Sequence, residues 1–179
     1  MPIDSVNILI KSELLKIYEN PITGIKIKER KKDAKLKEVT LTGLFGKTYV
    51  WQFGEKRGFC NCFKNTDPYV HKACDAIVLT EIERKWYILF IEMKSFRKED
   101  YCLQLKNTDL FLDYVFTLLD VYYNKKVKHV MNKIFVMLYL SKGHKPTVHK
   151  RPYPCETKMG LRIVKIPNPI HVSIKDLIT

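Results

Sequence analysis

Asp75, Glu92 and Lys94 are the side chains whose types and spacing could do chemistry. Asp75 opens the apolar run Ala76-Ile77-Val78-Leu79, while Glu92 and Lys94 close the longer run that begins at Trp86 as a Glu-x-Lys. The same tripeptide pattern occurs at Glu29-Arg30-Lys31, Glu83-Arg84-Lys85 and Glu156-Thr157-Lys158, so context must decide between the copies. Only the Glu92 copy ends a long apolar run. In that run Trp86, Ile88 and Phe90 fall on one face and Tyr87, Leu89 and Ile91 on the other, the pattern of a central strand covered on both sides. Period two then puts Glu92 and Lys94 on the same side. An uncompensated buried charge is costly, so this pair needs a partner, a metal ion or the solvent edge of the sheet. If the two runs pair antiparallel through a turn near Glu83, Asp75 approaches Glu92. Two carboxylates so placed repel unless a cation lies between them, and hard oxygen donors suit Mg²⁺ or Mn²⁺. The alternative is a plain ion pair between Glu92 and Lys94, with Asp75 merely starting a strand.

The elements that would hold these residues are legible in outline. Residues 5–19 begin with Ser5 as a cap, carry Ile8, Leu14, Leu15 and Tyr18 at helical spacing and end at Asn20-Pro21, which predicts a helix. From Lys26 to Lys37 charge dominates, as in a solvated loop or helix face, or in an arm contacting phosphates. Leu41 to Phe53 alternates and is broken by Gly43 and Gly46, which predicts a hairpin or a bent strand. Asp75 to Leu79 and Trp86 to Met93 form a second hairpin. After Ser95 the period changes: Leu103, Leu110, Phe111, Tyr114, Val115, Leu118 and Leu119 recur at three- and four-residue spacing, as in a long amphipathic helix. Ile134 to Leu140 and Leu161 to Ile166 read as buried strands, and Lys142 to Lys158 as a surface loop. This order predicts a mixed α/β domain spanning residues 1–179, its central sheet covered by helices.

The chain has 179 residues, of which 46% are hydrophobic and 28% charged, and this suits one domain with a sizeable core. With 32 Lys+Arg against 19 Asp+Glu the net charge is +13, which favours a polyanion such as nucleic acid. No segment approaches the roughly 20 apolar residues of a membrane span, so the expectation is a soluble, cytoplasmic protein with no membrane partner. Five cysteines, an odd number, fit free thiols in a reducing compartment. Cys60, Cys62, His71 and Cys74 make a zinc set on paper, but Cys-x-Cys is tight for structural zinc and Cys74 adjoins an apolar run. Tyr49, Trp51, Phe53 and Phe59 could stack on bases or, as is commoner for an aromatic strand, belong to the core.

Asp75 followed by a strand-terminal Glu92-Met93-Lys94 resembles the signature of the PD-(D/E)xK nuclease superfamily, which includes many restriction endonucleases and Holliday-junction resolvases. The resemblance covers roughly Asp75 to Tyr114 and implies a restriction-endonuclease-like core, a central mixed sheet flanked by helices. It implies that Asp75, Glu92 and the Met93 carbonyl hold Mg²⁺ or Mn²⁺, and that Lys94 orients or helps deprotonate the attacking water. Two further roles come from the same resemblance: Glu13, or alternatively Glu19, as a first-helix glutamate that reaches the metal through water, and Gln104 on the helix after the Glu-x-Lys strand. Glu13 could equally be a plain solvent-facing helix glutamate, and glutamines are common on helices in any case. Cys74 stands where the pattern often has proline, and Ser95 where it often has glycine. The implied activity is an endonuclease, with DNA placed ahead of RNA as substrate. If the metal site is real a substrate phosphate must reach it, and Lys72, Arg97 and Lys98, near it in sequence, with Lys56 and Arg57 in a loop, are the candidate nucleic-acid contacts. A non-catalytic nucleic-acid-binding subunit of a larger nuclease or defence assembly is the alternative. One centre cuts one strand, so double-strand cleavage would call for a homodimer or two successive events.

Overall fold

A computed structural model describes residues 9, 15–29, 33–52, 72–95, 100–127, 131–141 and 153–178. At its centre is the expected hairpin, β5 (Ala76–Ile82) and β6 (Lys85–Lys94), paired antiparallel from Ala76 opposite Ile91 to Ile82 opposite Lys85. The two turn residues, Glu83 and Arg84, both have positive φ (52° and 61°), which a type I′ turn demands and which matches the twist of the strands. The same register continued by one residue sets Asp75 opposite Glu92.

Around this hairpin runs a seven-stranded mixed sheet in the order β1-β4-β5-β6-β7-β9-β8. β1 (Leu15–Glu19), β4 (Lys47–Gln52), β5 and β6 pair antiparallel in succession, whereas β6, β7 (Met131–Tyr139) and β9 (Leu161–Pro167) pair parallel and β8 (Cys155–Lys158) closes the far edge antiparallel to β9. A parallel neighbour requires a crossover, and α1 (Tyr101–Tyr123) provides it between β6 and β7. A second sheet joins β3 (Glu38–Thr42) to β2 (Ile25–Lys28) antiparallel and to β10 (His171–Ser173) parallel.

Three layers result. Ile77, Leu79, Ile88, Phe90, Phe135 and Met137 pack under α1 through Leu105, Leu112, Val115, Phe116 and Leu119. On the other side Val78, Leu89, Ile91, Val136 and Leu138 pack against Ile25, Ile27, Val39, Leu41 and Val172 of the small sheet. The predicted two-faced burial of β6 is therefore real, and stacking of Phe90 on Phe135, with centroids 4.8 Å apart, ties β6 to β7.

The fold is mixed α/β, but several elements differ from the sequence reading. Leu15 to Glu19 forms an edge strand instead of the end of a helix. Leu15-Lys16-Ile17-Tyr18-Glu19 suits either period over so short a span, and the free edge of β4 selects the strand. Residues 41–52 do not fold back on themselves: β3 and β4 lie in different sheets, joined through Gly43 and Gly46 at φ 72° and 71°. The charged segment from Lys26 opens as β2, its Ile25 and Ile27 buried and its lysines outward, where Lys26 pairs with Glu38 at 2.8 Å. The end of the expected 142–158 loop is β8. Among the described residues one α-helix covers the large sheet, and a sheet replaces the helices expected on the opposite face. No helix of the described residues is long and apolar enough to cross a membrane.

Replacing Glu83-Arg84 with Asn-Gly removes two positive-φ penalties, so this double variant should gain about 1 kcal/mol and about 2–4 °C in Tm. Thermal unfolding followed by circular dichroism checks it, and a lower Tm would mean that the two side chains are themselves stabilising.

Candidate active site

The carboxyl end of β6 gathers four of the expected residues. Glu92 follows Ile88 and Phe90 onto the face covered by α1 and is 1% exposed. Lys94 shares that side, and its Nζ lies 2.7 Å from Glu92 Oε1. The same ammonium donates to Gln104 Oε1 at 2.6 Å, while Gln104 Nε2 donates to the Ala73 carbonyl at 3.2 Å. Asp75 is fixed from its own side, since its Oδ2 accepts the Met93 N–H at 2.6 Å. The expectation that Gln104 and Lys94 belong to one site thus has a direct contact behind it.

Electrostatics mark Glu92 as the unusual member. Burial pushes its carboxyl well above the ordinary 4.5, the neighbouring Asp75 carboxylate pushes it further, and Lys94 pulls the other way. Its Oε1 is satisfied by Lys94, but its buried Oε2 has no hydrogen-bond partner among the described residues. An orphaned buried carboxylate oxygen next to a second carboxylate is a polar environment short of positive charge.

A divalent cation bound there would supply that charge. Asp75 and Glu92 bring hard oxygen donors to one place. Lys94 accepts the Leu140 N–H at its carbonyl, on the β7 side. Strand alternation therefore turns the Met93 carbonyl the other way, toward Asp75, where it could be a third donor. Asp75, Glu92 and Met93 are the residues that would hold such a cation. No group of three or more His, Cys, Asp or Glu side chains that could hold a metal occurs among the described residues. Glu13, expected to assist through water, lies outside the described residues, and Glu19 belongs to the edge strand β1.

Several supporting residues escaped the sequence reading. Thr108 donates to the Gln104 carbonyl and accepts the Cys74 N–H at 2.8 Å, so the segment before Asp75 is pinned to α1. Its signal was available in the spacing of Gln104 and Thr108, two polar residues one turn apart. Ser95 accepts the Lys35 and Leu36 N–H groups at 2.7 and 3.3 Å, tying the end of β6 to the small sheet. Glu29 is close enough to raise Glu92 further. It continues the inward parity of Ile25 and Ile27, which was invisible while that segment read as a charged loop.

Of the expected nucleic-acid contacts, Lys72 pairs with Asp100 at the start of α1, at 2.6 Å, and their pairing holds the Asp100 carboxyl below its usual range. Arg97, Lys98, Lys56 and Arg57 lie outside the described residues. Tyr49 and Trp51 are core residues, and their burial removes them as base-stacking candidates. Cys74 is wholly buried, and burial pushes its thiol far up and away from thiolate chemistry. Cys60, Cys62 and His71 lie outside the described residues. No protein-family model, no curated protein and no solved structure matches the chain.

Because folding raises the Glu92 pKa, the folded state binds a proton more readily than the unfolded chain between 4.5 and the raised value, and this group's contribution to stability falls as pH rises through that window. Wild type should therefore lose stability relative to Glu92→Gln as pH rises from 4.5 toward 7. Urea unfolding across that range checks it, and a pH-independent difference would refute the raised pKa. Mg²⁺ at about 100 times its Kd should add about 2.7 kcal/mol to wild type and much less to Glu92→Gln.

Proposed function

We propose that this chain is a divalent-metal-dependent nuclease of the PD-(D/E)xK type that hydrolyses DNA phosphodiester bonds. The observation that carries the proposal is the convergence of Asp75, Glu92, Lys94 and Gln104 at one end of β6, with a buried Glu92 oxygen left without a hydrogen-bond partner among the described residues. The order β5-β6 hairpin, α1, then parallel β7 supports a restriction-endonuclease-like core.

A bound Mg²⁺ or Mn²⁺ would lower the pKa of a coordinated water and offset charge on the scissile phosphate. The protein's own part is positional. The Met93 N–H holds the Asp75 carboxylate toward Glu92. Glu92 and Gln104 fix the Lys94 ammonium from two sides, so that it can orient a water or contact a phosphate oxygen without searching rotamers. Gln104 is itself anchored to the Ala73 carbonyl and, through the helix, to Thr108, so the loop before Asp75 is tied to the start of α1. The net charge of +13 draws a polyanion to the protein without reading its sequence.

Asp75→Asn and Glu92→Gln should each abolish Mg²⁺- or Mn²⁺-dependent cleavage, and Lys94→Ala should slow single-turnover cleavage by about 10²-fold or more. The assay uses plasmid, linear duplex, single-stranded DNA and RNA, each with Mg²⁺, Mn²⁺ or chelator. Full activity in Asp75→Asn or Glu92→Gln would remove this centre. Cleavage of RNA alone would keep the centre and change the substrate. Salt-dependent binding with no cleavage, indifferent to Mg²⁺ and to loss of Glu92, would identify a non-catalytic binding subunit.

A further inference from the structure

α1 is apolar on two opposite faces, and only one of them is covered by the sheet. The stripe formed by Leu105, Leu112, Val115, Phe116 and Leu119 is buried. Directly opposite, Leu103, Asn107, Leu110, Tyr114, Thr117 and Val121 recur at alternating spacings of four and three, the a/d pattern of a coiled coil. Along this outer stripe Leu110 is 56%, Tyr114 61% and Val121 68% exposed, and the adjacent Tyr122 is 75% exposed. Contiguous apolar surface of this kind on a monomer marks an interaction site.

We propose that the outer face of α1 pairs antiparallel with α1 of a second copy of this chain. The stripe is self-complementary about a two-fold axis near Leu112: Leu103 meets Val121 of the other copy, Asn107 meets Thr117 and Leu110 meets Tyr114. Each layer then sets an a-type position against a d-type position; Leu103 and Asn107 are half-buried and the Asn107 amide donates to the Lys72 carbonyl at 3.3 Å, so the apolar contact centres on Leu110, Tyr114 and Val121. Charge selects this direction. In the antiparallel arrangement the flanking Lys106 of each copy, which lies 3.9 Å from Asp109 of its own helix, faces Asp120 of the other, two opposite-charge contacts per dimer, whereas parallel helices would set Lys106 beside Phe111 and Asp113 beside Leu118. Asp113 falls near the axis and meets its own copy, but its carboxylate is already held by Lys133 at 2.7 Å. On the other flank Phe111 and Leu118, both half-buried, extend the apolar contact.

The 23 residues of α1 span about 34 Å at 1.5 Å per residue. A single helix pair of this length covers less than the about 800 Å² per partner of a standard interface, so the dimer is reversible and concentration-dependent. The pairing is isologous, as closed two-fold assembly requires. It concerns the face of α1 that points away from the sheet, and its readout is mass, independent of any cleavage.

Sedimentation velocity of the full chain over roughly a hundredfold range of concentration tests the proposal. Wild type should shift from monomer toward dimer. Tyr114→Glu should remain monomeric throughout with an unchanged circular dichroism spectrum. Lys106→Asp and Asp120→Lys should each weaken association by about tenfold, and the double charge exchange should restore it. A wild type that stays monomeric throughout, a dimer that survives Tyr114→Glu, or a double exchange no tighter than the single reversals would overturn the proposal.

Discussion

The structure is organised around a carboxylate buried at the end of its most central strand. Glu92 is 1% exposed, so water cannot stabilise its charge, and every compensating group must be delivered by the protein or by something bound to it. Lys94 supplies one contact from two residues along the same strand. Gln104 then holds Lys94, and the Ala73 carbonyl and Thr108 hold the helix segment that carries Gln104. The loop leading into Asp75 is thereby fixed by the same set of hydrogen bonds. The hydrogen bonds around this one desolvated group join β5, β6 and the first turns of α1.

This arrangement depends on both faces of β6 being covered. α1 closes one side and the small sheet closes the other, and Ser95 links the end of β6 to the connection between β2 and β3. A one-residue slip in the β5–β6 register would exchange the two faces and carry Glu92 away from Lys94's helix partner. The tight turn at Glu83 and Arg84 fixes that register, at the cost of two residues in a left-handed conformation. The small sheet is equally committed, since Ile25 and Ile27 fill the space that a helix would otherwise take and bring Glu29 toward the same end of the molecule.

α1 combines two roles. Its first turns belong to the site through Gln104 and Thr108, and its length supplies the crossover that makes β7 parallel to β6. Its sequence carries apolar residues on opposite faces. Leu110 and Tyr114 sit at helical spacing with Val115 and Leu119, yet they point outward while Leu105, Leu112 and Phe116 point in. Periodicity identified a helix here, but with two apolar stripes available it could not say which one the sheet would bury.

Local pattern was sufficient wherever one chemical fact excluded the alternatives. A run from Trp86 to Met93 with apolar residues on both parities has to be an interior strand, so the hairpin, the common face of Glu92 and Lys94 and the approach of Asp75 were legible from the amino-acid order alone. The long helix and the strands at Ile134 and Leu161 were legible for the same reason. Residues 15–19, 25–28 and 155–158 were not, because short polar segments satisfy several periods at once, and their strand state comes from hydrogen bonds offered by β4, β3 and β9. The pairing of β3 and β4 with separate sheets, the raised pKa of Glu92 and the anchoring of Gln104 likewise involve partners distant in sequence. Burial and long-range pairing decide these properties, and both are set only when the layers pack.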